Sequence, residues 1–239
     1  MLTRRHFVAL TCAAAVASSG VVWATDQFLS MLDHIILGCN DLDRGIAFVE
    51  DHVGVRAVVG GRHPGRGTKN ALLSLGERHY LEIMAPDPQA TAVEPSAAEP
   101  LAALKMLTAP KLVTWAVHNS DINALAKKFR DEGIEINGPY PGSRTRPDGR
   151  VLRWTSFSLV EDHHGLLPFF IEWSAGSVHP SSDAPGGCSI QRFGAADADP
   201  AALMRAFQRI GIEMHVERSG KPQLRVEIVS AKSVMELTS

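Results

Sequence analysis

The chain has 239 residues, with 24 Lys and Arg against 26 Asp and Glu, so a net charge of −2 leaves no basic stripe of the kind nucleic acid requires. The length suffices for one large domain or two small ones around a buried core, and no internal run is long and apolar enough to span a bilayer. Three cysteines do not make a disulfide framework; Cys12 falls in the leader, while Cys39 and Cys188 read as small buried hydrophobes, a bridge between them being left open.

Residues 1–24 read as a leader. Thr3-Arg4-Arg5-His6-Phe7-Val8 is a paired-arginine region, Ala9 to Trp23 is apolar, and Val22-Trp23-Ala24 has the small-residue form of a cleavage site. This resembles a twin-arginine export signal, from which a periplasmic mature protein is expected. The competing expectation is translation from Met31 and a cytoplasmic protein.

From Met31 onward the chain reads as one module written three times, which decides the expected fold class: α+β, with repeated β-α-β-β-β modules. Module one spans 31–86. A strand holding His34 comes first. Asp41 then opens a helix with Ile46, Phe48-Val49 and Val53 at helical spacing, closing at Gly54. Val55 to Val59 is a second strand ended by Gly60-Gly61, Thr68 to Leu75 a third, and His79 to Met84 a fourth. A connector over 87–110 is rich in Pro, Ala and Glu, with one helical piece around Leu101 to Leu107.

Module two spans 111–175. Its helix opens at Asp121 and puts Ile122, Leu125-Ala126 and Phe129 on one face. Ile134 to Asn137 is its second strand, Gly138 to Gly149 a long turn, and Val151 to Val160 and Pro168 to Ser174 its last strands. A Ser, Pro and Gly-dense connector over 176–187 leads to a third, more compact module over 188–239. In that module Asp199 opens a helix with Leu203, Phe207 and Ile210. Each module closes on a strand with one acid among hydrophobes: Leu81-Glu82-Ile83, Ile171-Glu172-Trp173 and Met235-Glu236-Leu237. One open four-stranded unit leaves edges and a sheet face uncovered, so two copies are expected to form a curved mixed-sheet cup. The third then covers something else or pairs with a neighbouring chain, which leaves a homodimer open.

A repeated β-α-β-β-β unit with His early in the first strand and Glu in the last resembles the vicinal oxygen chelate superfamily, the glyoxalase, bleomycin resistance and extradiol dioxygenase group. More narrowly, Leu32-Asp33-His34-Ile35-Ile36, Gly60-Gly61-Arg62-His63-Pro64-Gly65-Arg66-Gly67-Thr68-Lys69-Asn70, Tyr80-Leu81-Glu82 and Pro168-Phe169-Phe170-Ile171-Glu172-Trp173 are similar to its glyoxalase-like domain proteins. The resemblance implies a divalent metal ion (Fe, Mn or Zn) on His34, Glu82 and Glu172, since imidazole with carboxylate suits such ions. Counting seven residues back from Asp121, as His34 stands before Asp41, gives Thr114, a departure from a four-ligand pattern. The same count in module three gives Arg192, which could pair with Glu236, so that module reads as structural.

The resemblance further implies a small-molecule cup between modules one and two. Its substrate-binding residues would be Arg62, His63, Thr68 and Asn70 on one wall and Arg153 and Trp154, with Arg150, on the opposite wall, and His63 and Glu172 would be catalytic groups. The implied chemistry is of lyase, isomerase or dioxygenase type on a small oxygenated substrate. The rival is a metal-free protein that sequesters a small molecule in the same cup. On residue type alone, His34 is equally a core histidine, Glu82 and Glu172 surface acids, and His163-His164 an ordinary polar turn.

Overall fold

The computed structural model describes residues 26–239, so the expected leader over 1–24 lies outside the described residues. A short helix, α1 (Asp26–Met31), runs directly into β1 (Leu32–Gly38). Module one continues with α2 (Leu42–Val53), β2 (Val58–His63), β3 (Thr68–Ser74) and β4 (Tyr80–Pro86). The first connector holds a 3-10 turn (Pro95–Ala97) and α3 (Ala98–Lys105). Module two is β5 (Lys111–His118), α4 (Ile122–Asp131), β6 (Ile136–Thr145), β7 (Val151–Leu159) and β8 (Phe169–Trp173). After a 3-10 turn (Pro180–Ser182) come β9 (Cys188–Asp197), α5 (Pro200–Arg209), β10 (Val216–Arg218), β11 (Gln223–Ser230) and β12 (Val234–Thr238).

The three module helices start where their aspartates satisfy free backbone N–H groups. Asp41, Asp121 and Asp199 accept hydrogen bonds from the backbone N–H of Arg44, Ala124 and Ala202 respectively. α2 ends on Gly54 at φ 74°, a left-handed conformation that glycine adopts without penalty.

Modules one and two have one topology. In each, the first and last strands pair in parallel, β1 with β4 and β5 with β8. The two units close on each other as an eight-stranded barrel in the order β1-β4-β3-β2-β6-β7-β8-β5. The expected curved mixed-sheet cup is thus closed into a barrel. β1 and β5 join antiparallel along one seam, and the Arg62–Thr145 pair joins β2 to β6 along the other.

The third module keeps the element order but not the strand order. Its sheet runs β10-β9-β11-β12, so the first strand β9 lies between β10 and β11 and does not touch the last. It is therefore not a third copy of the same unit. Its apolar face packs outside the barrel, where Trp115 of β5 meets the rings of Phe193 and Phe207 at 5.2 and 6.3 Å. The indole N–H of Trp115 donates to the carbonyl of Leu166 at 2.8 Å. Arg192 pairs with Glu227 at 3.6 Å, not with Glu236.

Two segment boundaries differ from expectation in ways that shape the site. Gly60-Gly61 does not end β2 but lies inside it, at an irregularity in the pairing with β3. The expected turn over 138–149 is largely strand, because β6 extends to Thr145 after a shift in register near Tyr140. Proline and glycine usually mark turns, but here β7 supplies partners from Tyr140 to Thr145 and holds that stretch extended. The Gly65, Gly67 and Gly149 positions, at φ 73°, 68° and 84°, carry the actual reversals.

Candidate active site

The barrel encloses a cavity of about 640 Å³, within the range of small-molecule sites. Its floor and walls come from inward-facing positions of both modules, and Pro100, Leu101 and Leu104 of α3 line it as well. The first connector is therefore part of the cup and not a passive link.

A chain of polar side chains crosses the cup. His34 and Glu82, only 3% and 5% exposed, face each other with His34 Nε2 3.5 Å from Glu82 Oε2. The other nitrogen of His34, Nδ1, lies 2.6 Å from Asp33 Oδ1. A carboxylate only accepts, so Asp33 holds the proton on Nδ1 and leaves Nε2 turned to Glu82 and the cup. The imidazole is held between Tyr80, stacked at 4.5 Å, and the edge of Phe169 at 5.4 Å. The second oxygen of Asp33 accepts from Trp173 Nε1 at 3.0 Å and lies 3.3 Å from His179 Nε2. Burial alone would raise the Asp33 carboxyl, but its contacts with His179 and His34 outweigh burial and hold it well below the usual carboxylate range.

On the far side, Asn70 Nδ2 donates to Glu82 Oε1 at 2.6 Å, and Asn70 Oδ1 accepts from Arg144 Nη1 at 2.7 Å. His63 Nδ1 is 2.9 Å from Thr68 Oγ1, and its Nε2 is 3.3 Å from Asn70 Nδ2. The amide can only donate there, which assigns the lone pair to Nε2 and the proton to Nδ1. Burial pushes the His63 imidazole below its usual pKa; Glu82 opposes this and Arg144 adds to it. The 3.6 Å approach of His63 Nε2 to Glu82 Oε1 is thus a contact of a neutral ring, not an ion pair.

Of the residues expected at the site, the structure brings together His34, His63, Thr68, Asn70, Glu82 and Trp154, all lining the cavity. It does not bring Arg62, Arg153 or Glu172 there. Arg62 is exposed and binds Asp87 and Gln89 on the surface. Arg153 is exposed, with its backbone N–H on Ser177 Oγ, and Arg150 pairs with Asp148 and Asp183 outside. Glu172 Oε2 accepts from the backbone N–H of Ile122 at 2.8 Å, at the start of α4. His163 and His164 sit at φ 52° and 61° in a turn.

The strand register gives the reason for Glu172. Ile36, five residues before Asp41, pairs with Glu82; Ala116, five residues before Asp121, pairs with Phe169. Phe169, not Glu172, therefore occupies the place of Glu82. Glu172 stands three residues further on, and an odd step along a strand points a side chain to the opposite face. Thr114 does line the cup.

This bears on the expected metal ion. His34 and Glu82 provide two donors, but the third place holds Phe169 and the fourth Thr114. The two cup imidazoles address opposite oxygens of Glu82. Among the described residues, no group of three or more His, Cys, Asp and Glu is placed to hold a metal. The expected set of His34, Glu82 and Glu172 does not fit the ion.

Sequence reasoning misses Asp33, Tyr80, Arg144, Trp173 and His179. Asp33 and Tyr80 stand beside His34 and Glu82, inside the motifs that carry the family resemblance. Arg144 is hidden by the turn-like composition of its strand, and His179 lies in a connector.

A hypothetical protein from Staphylococcus aureus superimposes with a TM-score of 0.62 at 18% identity, over 86% of this chain and 84% of that one. Methylmalonyl-CoA epimerase from Mycobacterium tuberculosis gives a TM-score of 0.43 at 21% identity, over 60% of this chain and 87% of its own. A Streptomyces coelicolor methylmalonyl-CoA epimerase variant, solved with 2-nitronate-propionyl-CoA, gives 0.44 at 23% identity, over 62% and 97%. No curated protein matches the sequence. A match to the glyoxalase-like domain covers residues 32–211, including both barrel modules, and the chain belongs to that family within the vicinal oxygen chelate superfamily.

Proposed function

We propose that the chain is an enzyme of lyase or isomerase type that works by proton transfer on a small oxygenated molecule in the barrel cup. One observation carries this: a buried carboxylate, Glu82, lies 3.5 Å from a buried imidazole, His34, whose far nitrogen is held by Asp33. Burying such groups is costly unless they are paired, and a cup built only for binding has no need of them. Asn70 holds Glu82 Oε1, so Oε2 is the oxygen left between His34 and the cavity. A proton taken from a carbon beside a substrate carbonyl passes to the Glu82–His34 pair, the electron pair moving onto the carbonyl oxygen. The proton then returns at another carbon, or a group departs with the electron pair. Asp33 positions His34 and stabilises the imidazolium whenever the ring carries the proton.

The sequestration reading is favoured by a different observation, the aromatic lining of Tyr80, Trp154, Phe169 and Trp173. Proton NMR in deuterium oxide with 2-oxobutyrate and phenylpyruvate separates the two. The enzyme reading expects catalysed exchange of the carbon-bound proton next to the carbonyl, abolished in Glu82→Gln and retained after chelation. Binding without exchange or conversion of either compound would overturn it in favour of sequestration, and loss on chelation would return the chemistry to a metal. The paired-arginine leader supports a periplasmic setting, which N-terminal sequencing of the native protein tests.

A further inference from the structure

We infer that the substrate of the cup is a carboxylate-bearing small molecule and that Arg144 is the group that holds its carboxylate. The inference deepens the proposed function and rests on its reading of the cup as the substrate site. Arg144 is 2% exposed and lines the cavity. Among the described residues it is the one buried arginine. A guanidinium has five N–H donors, and the structure gives this one a single acceptor, the amide oxygen of Asn70. No carboxylate of the described residues pairs with it. Several exposed arginines have a carboxylate although water would solvate them anyway: Arg56 has Glu50, Arg62 has Asp87, and Arg150 has Asp148 and Asp183. A buried cation without a counter-ion weakens the fold, so its retention in a cavity points to an anion that arrives from outside.

The backbone makes room for it at further cost. A Cβ on Gly60 would lie 2.0 Å from Arg144 Nη1 and 2.5 Å from Asn70 Oδ1. One on Gly61 would lie 2.9 Å from Arg144 Cγ. Two glycines inside a strand weaken it, and here they open the space through which the guanidinium reaches the cup. Asn70 sits between the two charges, accepting from Arg144 and donating to Glu82. A carboxylate forked on Arg144 is therefore placed one amide away from the proton-transfer pair. His63, kept neutral by burial, adds no second cation, and Arg66, which also lines the cavity, is exposed to solvent where Arg144 is buried. The rest of the molecule meets Met84, Leu101, Leu104 and Phe157, so an apolar body of modest size is expected behind the carboxylate.

Phenylacetate and phenylacetamide have the same shape and differ in charge, and titration calorimetry on the purified chain compares them directly. The wild type is expected to prefer the acid by about tenfold or more. That preference is expected to disappear in Arg144→Gln and to fall in Gly60→Ala, which keeps the charge but displaces it. Equal binding of acid and amide by the wild type overturns the inference without requiring any variant to fold. So does an unchanged preference in a folded Arg144→Gln, or no binding of either compound at about 10 mM. Glu82→Gln keeps the acid preference while losing proton exchange. An acid preference without exchange therefore counts against the proposed function alone, and exchange without the preference counts against this inference alone.

Discussion

Strands β1–β4 bring His34, His63, Thr68, Asn70 and Glu82 to the cup, whereas β5–β8, with the same strand order, bring Thr114, Arg144, Trp154, Phe169 and Trp173. One half supplies the groups that can hold or move a proton. The other supplies an aromatic wall and one buried cation. Two copies of a scaffold have kept their backbone pairing and diverged at the inward positions, because those positions alone face the cavity while the outward ones must still pack against α2 and α4. Similar acids on the two closing strands thus have different work: Glu82 faces His34, and Glu172 holds the first turn of α4.

The largest expected effect tests that division directly. Glu82→Gln should lower the rate of proton exchange by about 10²–10⁴-fold, the usual contribution of a positioned acid or base. Glu172→Gln should leave it within about twofold. Equal losses in the two variants would mean that the barrel halves share the chemistry after all.

A second measurement sharpens the electrostatics of the first half. The His63 pKa is depressed in the folded state by burial, so above the ordinary value of 6.5 both folded and unfolded chains hold the ring neutral. As pH falls through 6.5, the unfolded chain takes up a proton that the folded chain resists, and stability drops by up to about 1.4 kcal/mol per pH unit. Urea midpoints of the wild type between pH 7 and 5 should show this slope, and His63→Gln should flatten it by one proton; parallel profiles would place a charged ring in the cup.

Smaller effects belong to the outer face. Glu172→Ala should cost about 0.5–2 kcal/mol in a thermal melt, as loss of a helix-start acceptor does, since Ile122 N–H loses its partner. Arg62→Ala should change stability by about 0–1 kcal/mol, because its ion pair with Asp87 leaves the arginine 51% exposed, and it should leave exchange kinetics untouched. A strong kinetic effect of Arg62→Ala would put Arg62 back into the site.

Much is legible in the chain because it is local. Helix starts at Asp41, Asp121 and Asp199 follow from a side chain reaching a backbone N–H three residues on, and β1, β3 and β4 follow from their apolar runs and the turn residues that bound them. The family resemblance adds His34, Glu82, Asn70 and Thr68. Glu172 misleads because the Leu-Glu-Ile and Ile-Glu-Trp stretches look alike, and nothing local reports which residue is hydrogen-bonded to β5. Arg144 escapes notice because Gly138, Pro139, Pro141 and Gly142 carry the composition of a turn.

The sequence by itself determined where the three module helices begin, which apolar runs are strands and that two similar units must cover each other's edges, since each depends on contacts a few residues long. Only the tertiary structure decided which face of β8 looks into the cup, that the third unit has its own strand order, and that Arg144 reaches Asn70 past two glycines. Those outcomes depend on register between strands far apart in the chain, where a shift of one residue reverses every side chain.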